Sequence, residues 1–271
     1  MFSADCCYDG HFTLGISHMS RRINFGRLLF GAFMIGGLVL SVAPLRAGPA
    51  DDADIAKSLA DMLRAARQVI SNNQALINDP NLGDKGLSGQ VVLQQAVEIY
   101  KKATGTDPAN IDTASRLGRL MHAQMDAIVE ATDANQATIN AKGVGFKAFI
   151  PAVFGRLVNE SFENHAKNEA QVKVTAPEQL VRNRKSRPDQ WESDVIRSKL
   201  LQPDWPRGQV YAAEVDTKGR SAYRMMMPEY YANSCLSCHG SPKGQTDITG
   251  YPKEGGKEGD LGAVISVTLF K

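Results

Sequence analysis

Residues 209–239 read QVYAAEVDTKGRSAYRMMMPEYYANSCLSCH, and the rest of the chain is organised around them. Two runs rich in apolar and β-favouring residues, 209–215 and 221–227, flank Asp216-Thr217-Lys218-Gly219. That pattern predicts a β-hairpin closed by a four-residue turn. Directly after the second run comes Cys235-Leu236-Ser237-Cys238-His239. C-x-x-C-H is the attachment signature of a c-type haem, in which two thiols add across the vinyl groups and the neighbouring imidazole reaches the iron. Three other readings compete: zinc, a structural disulfide between Cys235 and Cys238, and a redox dithiol. Zinc asks for four ligands, and no second Cys or His pair follows at short spacing. A redox dithiol belongs in a βαβ pattern, which is missing around this motif.

Upstream of the hairpin the periodicity is helical. Over 51–77, Ile55, Leu59, Met62, Leu63, Ala66, Val69, Ile70 and Ile77 fall at the three-and-four spacing of an amphipathic helix. Asn78-Asp79-Pro80-Asn81-Leu82-Gly83 interrupts it. A second helix is expected over 88–104, stopped by Gly105. Asp107-Pro108 offers a capping carboxylate with proline at the first helical position, and so predicts a third helix through Leu117, Leu120, Met121, Met125, Ile128 and Val129.

Beyond residue 135 the apolar runs shorten. Segment 146–154 is apolar enough for core, with helix and strand both open. Gln171-Val172-Lys173-Val174-Thr175 alternates like a strand with one wet face. Arg182-Asn183-Arg184-Lys185-Ser186-Arg187-Pro188 reads as a basic loop, and Asp189-Gln190-Trp191-Glu192 as a capping box opening a helix to Leu200. A glycine-rich loop with Gly255, Gly256 and Gly259 precedes a last strand over 263–270; it lacks the G-x-x-x-x-G-K-[ST] pattern of a phosphate cradle. Helices followed by antiparallel strands give an α+β class. The expected divisions are a leader and signal peptide over 1–47, a helical region over 48–135 and a haem-binding region over 136–271.

Arg21-Arg22 and Arg27, the apolar run 28–40 and the small residues up to Ala47 make a basic region, an apolar core and a cleavage site. The run is shorter than the roughly 20 residues of a membrane span, so cleavage after Ala47 and a periplasmic location are expected, with an anchor as the outcome if the segment stays uncleaved. Met19 is the expected start, with Met1 as the alternative. Of the four cysteines, Cys6 and Cys7 would leave with this segment, and Cys235 and Cys238 would remain. The 31 basic and 29 acidic residues nearly cancel, and removal of the leader takes four basic and two acidic residues away. Such a balance speaks against a nucleic-acid partner.

The second half resembles the c-type haem PAS-like sensor domains, a family long catalogued as a domain of unknown function. The resemblance is carried by Lys173-Val174-Thr175, Arg182-Asn183, Pro188-Asp189, Trp191-Glu192, Tyr223-Arg224, Pro228, Cys235-Leu236-Ser237-Cys238-His239-Gly240, Pro242 and Gly259-Asp260-Leu261-Gly262-Ala263. It implies a long helical region packed on a PAS-like antiparallel sheet with one covalent haem c. It also implies that Cys235 and Cys238 hold the haem, that His239 is the proximal iron ligand, and that Arg182 and Arg224 face the propionates or the pocket. Some relatives use a helical cysteine in an A-I-x-V-C-like stretch as second axial ligand; here Ala96-Val97-Glu98-Ile99-Tyr100 puts Tyr100 there, so thiolate ligation does not carry over.

For the sixth iron position the sequence leaves His122, Tyr100 and Met227 open, each with packing as the alternative role. His165 lies in a polar stretch and is expected to be exposed. Alternation along a strand sets Met226 on the face opposite Met225 and Met227. The expected function is redox or small-ligand sensing, a diatomic gas among the ligands, by an exported single-haem protein without its own output domain, working through a separate redox or signalling partner. Two rivals are a soluble periplasmic electron-transfer cytochrome and, less well supported, a peroxidase-like enzyme, which would need distal acid–base groups.

Overall fold

The computed structural model describes residues 51–217 and 219–271; the signal-peptide and start-site readings fall outside them. Helix α1 spans Asp52–Asn72, and the side chain of its N-cap Asp51 accepts a hydrogen bond from the Asp54 amide. After Asn73 a single turn, α2 (Gln74–Ile77), follows. All eight apolar residues of the predicted stripe, Ile55 through Ile77, are buried. Helix α3 (Gly89–Thr104) is capped by the Ser88 hydroxyl and ends at Gly105, whose φ of 73° is the left-handed stop that glycine adopts without strain.

The third predicted helix needs correction. Asp107 and Pro108 open only a 3-10 turn, Pro108–Asn110. The long helix α4 (Arg116–Asp133) starts later, where the Ser115 hydroxyl accepts from the Gly118 amide. Asp112 explains the delay: its carboxylate accepts from the Ala114 amide and its carbonyl accepts from the Ser115 hydroxyl, so the chain turns before a second capping residue restarts it. A short turn α5 (Gln136–Ile139) follows. The segment left open between helix and strand becomes helix α6 (Pro151–His165) from its proline onward, with the N-terminal part irregular.

Four strands form one antiparallel sheet in the order β1-β4-β3-β2: β1 (Ala170–Thr175), β2 (Tyr211–Thr217), β3 (Arg220–Tyr230) and β4 (Leu261–Phe270). The hairpin is tighter than its sequence suggested. Thr217 pairs with Arg220, leaving two residues in the turn, and the Asp216 carboxylate accepts from the Gly219 amide at 2.9 Å. The protein is therefore α+β.

Helices α1, α3, α4 and α6 pack on one another, and α1 and α6 reach the sheet. Met225 and Met227 point into this main core, together with Ile265, Val267 and Leu269 of β4. Met226 points the other way, into a smaller cluster with Val195, Ile196, Leu200 and Val264, as strand alternation requires. That cluster is closed by α7 (Gln190–Val195), which begins with a capping box between Asp189 and Glu192. It runs on as one π-helical turn, Ile196–Leu200, sealed by the Leu201 amide donating to the Ile196 carbonyl at 3.0 Å. Among the described residues no helix is long and apolar enough to cross a membrane.

The end of β3 is pinned to α1 just before the cysteine motif. Glu229 is buried, and it accepts from Arg67 Nη1 at 2.5 Å and from Arg64 Nε at 3.3 Å. Burial raises its pKa, but the Arg67 and Arg64 guanidiniums prevail and hold it below the usual glutamate value.

Candidate haem-attachment site

After β3 the chain makes a 3-10 turn, Asn233–Cys235, and then one turn of helix, α8 (Leu236–His239). Residues three and four apart share a helix face, so Cys235, Cys238 and His239 are presented together. Neither cysteine is in a disulfide, and both are half-buried. A helix this short leaves nearly all its carbonyls without helical partners. Here the surrounding loops supply them. The Gly256 amide donates to the His239 carbonyl at 2.8 Å, the Gly255 amide to the Gly240 carbonyl at 3.1 Å, and Arg182 Nη2 to the Cys238 carbonyl at 3.0 Å.

The imidazole is oriented by a carboxylate. His239 Nδ1 lies 2.9 Å from Glu254 Oε2. Glu254 in turn takes Arg182 Nε at 2.8 Å on Oε1 and Nη2 at 3.1 Å on Oε2, a two-pronged pair. Burial pushes the Glu254 carboxyl up, but Arg182 and His239 outweigh it and lower its pKa. An ionised carboxylate can only accept, so Nδ1 carries the proton and Nε2 is the ring nitrogen available to a metal. Arg182 also donates from Nη1 to Asp247 at 2.7 Å and to the Thr249 hydroxyl at 3.2 Å. The Asp247 side chain is buried, and hydrogen bonds from Thr249 and Arg182 overcome that burial to hold it well below the usual aspartate range.

One face of the imidazole is covered by Tyr231, with ring centroids 5.0 Å apart and planes 18° from parallel. The Tyr231 phenol is raised above its usual range by burial first and by the Glu254 charge second.

These residues fit a covalently held haem. Two thiols and an imidazole whose Nε2 is left to donate share one helix face, which could supply two thioether sulfurs and one axial nitrogen. Among the described residues no three His, Cys, Asp or Glu side chains are gathered as a metal-ion site. A haem iron takes its equatorial nitrogens from the porphyrin and asks the chain only for axial donors.

The other residues named from sequence are spread over the fold. Arg182 is at the motif. Arg224, on β3, belongs to a separate cluster on the sheet: it donates to Asp189 at 2.8 Å, pairs with Glu192 at 3.2 Å and lies 4.4 Å over the Trp191 ring. Tyr100 on α3 and Met227 on β3 are buried in the main core. His122 on α4 is half-buried, and its Nε2 is enclosed without a hydrogen-bond partner. His165 is bound at the surface by Glu130 at 2.9 Å. Glu254, Asp247 and Tyr231 were not singled out by sequence. The nearest signal was Glu254 standing directly before Gly255-Gly256 in the loop downstream of the motif.

Residues 50–269 match the Tll0287-like family, described as Tll0287. The match contains the hairpin, the cysteine motif, Glu254 and the closing strand. No curated protein and no solved structure matches the chain.

Proposed function

The chain belongs to the Tll0287-like family, which is the c-type haem sensor domain family, and on that premise we propose that it is an exported, periplasmic protein carrying one covalent haem c on a PAS-like domain, acting in redox or small-ligand sensing. The observation that carries this reading is the pairing of His239 Nδ1 with the Glu254 carboxylate beside two cysteines, neither in a disulfide, on the same helical turn. Bound there, haem would supply a one-electron redox centre, and a site for diatomic ligands if one axial position is open.

The chain's own residues would do the rest. Cys235 and Cys238 would hold the haem through thioethers. His239 would offer Nε2 to the iron, while Glu254 would keep the proton on Nδ1 and raise the basicity of the ring. Arg182 works through Glu254 and the Cys238 carbonyl, fixing the motif and the carboxylate together. His122, Tyr100 and Met227 are the side chains proposed for the sixth position, and His122 has the support of an unpaired Nε2. Export rests on the basic, apolar and small-residue order of the first 47 residues.

The test is an absorption spectrum, oxidised and reduced, of protein made with the c-type maturation machinery, then exposed to carbon monoxide. Covalent haem that survives denaturing electrophoresis is expected. Indifference to carbon monoxide points to an internal sixth ligand and to redox sensing or electron transfer; rapid binding points to ligand sensing. A preparation with no covalent haem overturns the reading.

A further inference from the structure

We propose that Tyr231 sets the rotational orientation of the His239 imidazole, and with it the direction of the axial-ligand plane at the iron, its aromatic ring rather than its hydroxyl being the working part. This rests on the haem reading above. The carboxylate sets the direction of the imidazole and leaves it a residual tilt. Nδ1 lies off the Cβ–Cγ axis, so its hydrogen bond restricts rotation about that bond, and the breadth of hydrogen-bond geometry sets how far the ring still tilts. A flat surface against one face removes that freedom, and the near-parallel Tyr231 ring supplies it.

A platform works only if it is itself held, and Tyr231 is held on four sides. Its amide donates to the Asp260 carbonyl at 2.9 Å, and its carbonyl accepts from the Gly259 amide at 2.8 Å. Both edges of the ring lie against glycines. A Cβ at Gly262 would stand 2.3 Å from Cε1 and 2.5 Å from Cδ1; a Cβ at Gly256 would stand 2.7 Å from Cε2 and 2.9 Å from Cδ2. No side chain fits at either position while the ring is there. Gly256 also donates its amide to the His239 carbonyl, so one residue holds the backbone of His239 and lies against one edge of the Tyr231 ring. The hydroxyl is buried with no hydrogen-bond partner, a cost that the ring's placement must outweigh.

The experiment uses the full, haem-loaded chain with Tyr231→Phe, Tyr231→Met and Gly262→Ala. Denaturing electrophoresis first establishes covalent haem; its absence from the unsubstituted protein would defeat the haem reading, not this one. The ferric forms are then compared by electron paramagnetic resonance and by the spread of the haem-methyl proton resonances, both of which report the orientation of the axial imidazole. Tyr231→Phe should match the parent. Tyr231→Met, which fills the volume without a plane, should change the methyl pattern while keeping the haem, and Gly262→Ala should do the same by expelling the ring. Equal spectra for parent and Tyr231→Met overturn the proposal, as does a Tyr231→Phe spectrum that departs from the parent as far as Tyr231→Met does. Should the last two variants fail to accumulate, the parent itself decides: a clamped ring shows separate resonances for its two edges, and averaged resonances at low temperature count against it.

Discussion

Glu254 reaches His239 at 2.9 Å from a loop 15 residues further along the chain, and it is the same carboxylate that Arg182 grips with two nitrogens. The imidazole, the acid behind it and the cation behind the acid form one relay of fixed groups. Outer partners of this kind change a ligand's donor strength by 10–100-fold in binding terms.

Glu254→Gln should therefore leave covalent haem in place and raise the reduction potential, because a less basic imidazole favours the ferric ion less. At 59 mV per tenfold for one electron, that range corresponds to roughly 60–120 mV. Spectroelectrochemistry against the parent measures it, and an unchanged or lowered potential contradicts the assigned role.

Substitution of the ligands separates attachment from coordination. His239→Gly should keep the thioether-bound haem and alter its spin state, visible in the absorption spectrum of either oxidation state. Cys235→Ala with Cys238→Ala should abolish haem that resists denaturing electrophoresis. An unaltered spectrum in the first case, or resistant haem in the second, refutes the respective role.

Arg182→Ala removes the partner of two carboxylates, one of them buried, and takes a donor from the Cys238 carbonyl. Leaving buried charge unpaired costs about 3–5 kcal/mol. A lower denaturation midpoint is expected, with faster proteolysis after residue 240. Arg182→Lys should recover only part of the loss, since an ammonium does not reproduce the fork that spans Glu254.

Glu229 predicts an acid limb in the stability curve. Its folded pKa is below the ordinary glutamate value because Arg67 and Arg64 outweigh its burial. The sign follows: its contribution is whole above the ordinary value and fades as pH falls from there through the lower folded value. Glu229→Gln should flatten that limb and lower stability at neutral pH by about 3–5 kcal/mol, leaving two guanidiniums against a neutral amide. Urea titrations at neutral and acid pH test both parts.

What the sequence disclosed was local in origin. The stripe from Ile55 to Ile77, the Ser88 and Gly105 limits of α3 and the Asp189–Glu192 box need only neighbouring residues, and the structure has them as expected. Asp107-Pro108 misled because two capping signals stood close together, and the later one at Ser115 adjoins the apolar stripe. The hairpin turn came out shorter because cross-strand pairing extended to Thr217 and Arg220, which turn chemistry alone does not announce. At the site, the motif named its own ligands. Glu254 and Arg182 stand 72 residues apart, and no periodicity connects them. Tyr231 resembles any last aromatic of a strand until Gly256 and Gly262 are seen on its edges.

Strand β4 lies between β1 and β3, although it is the last of the four to be synthesised. The sheet therefore has an order of assembly written into it. A chain emerging from its N-terminus presents Cys235 and Cys238 before 261–270 exists to join its two neighbours, and before Gly262 is there to seat Tyr231. The last-made strand is thus the one that joins the two halves of the sheet and lays Gly262 against the ring beside the motif.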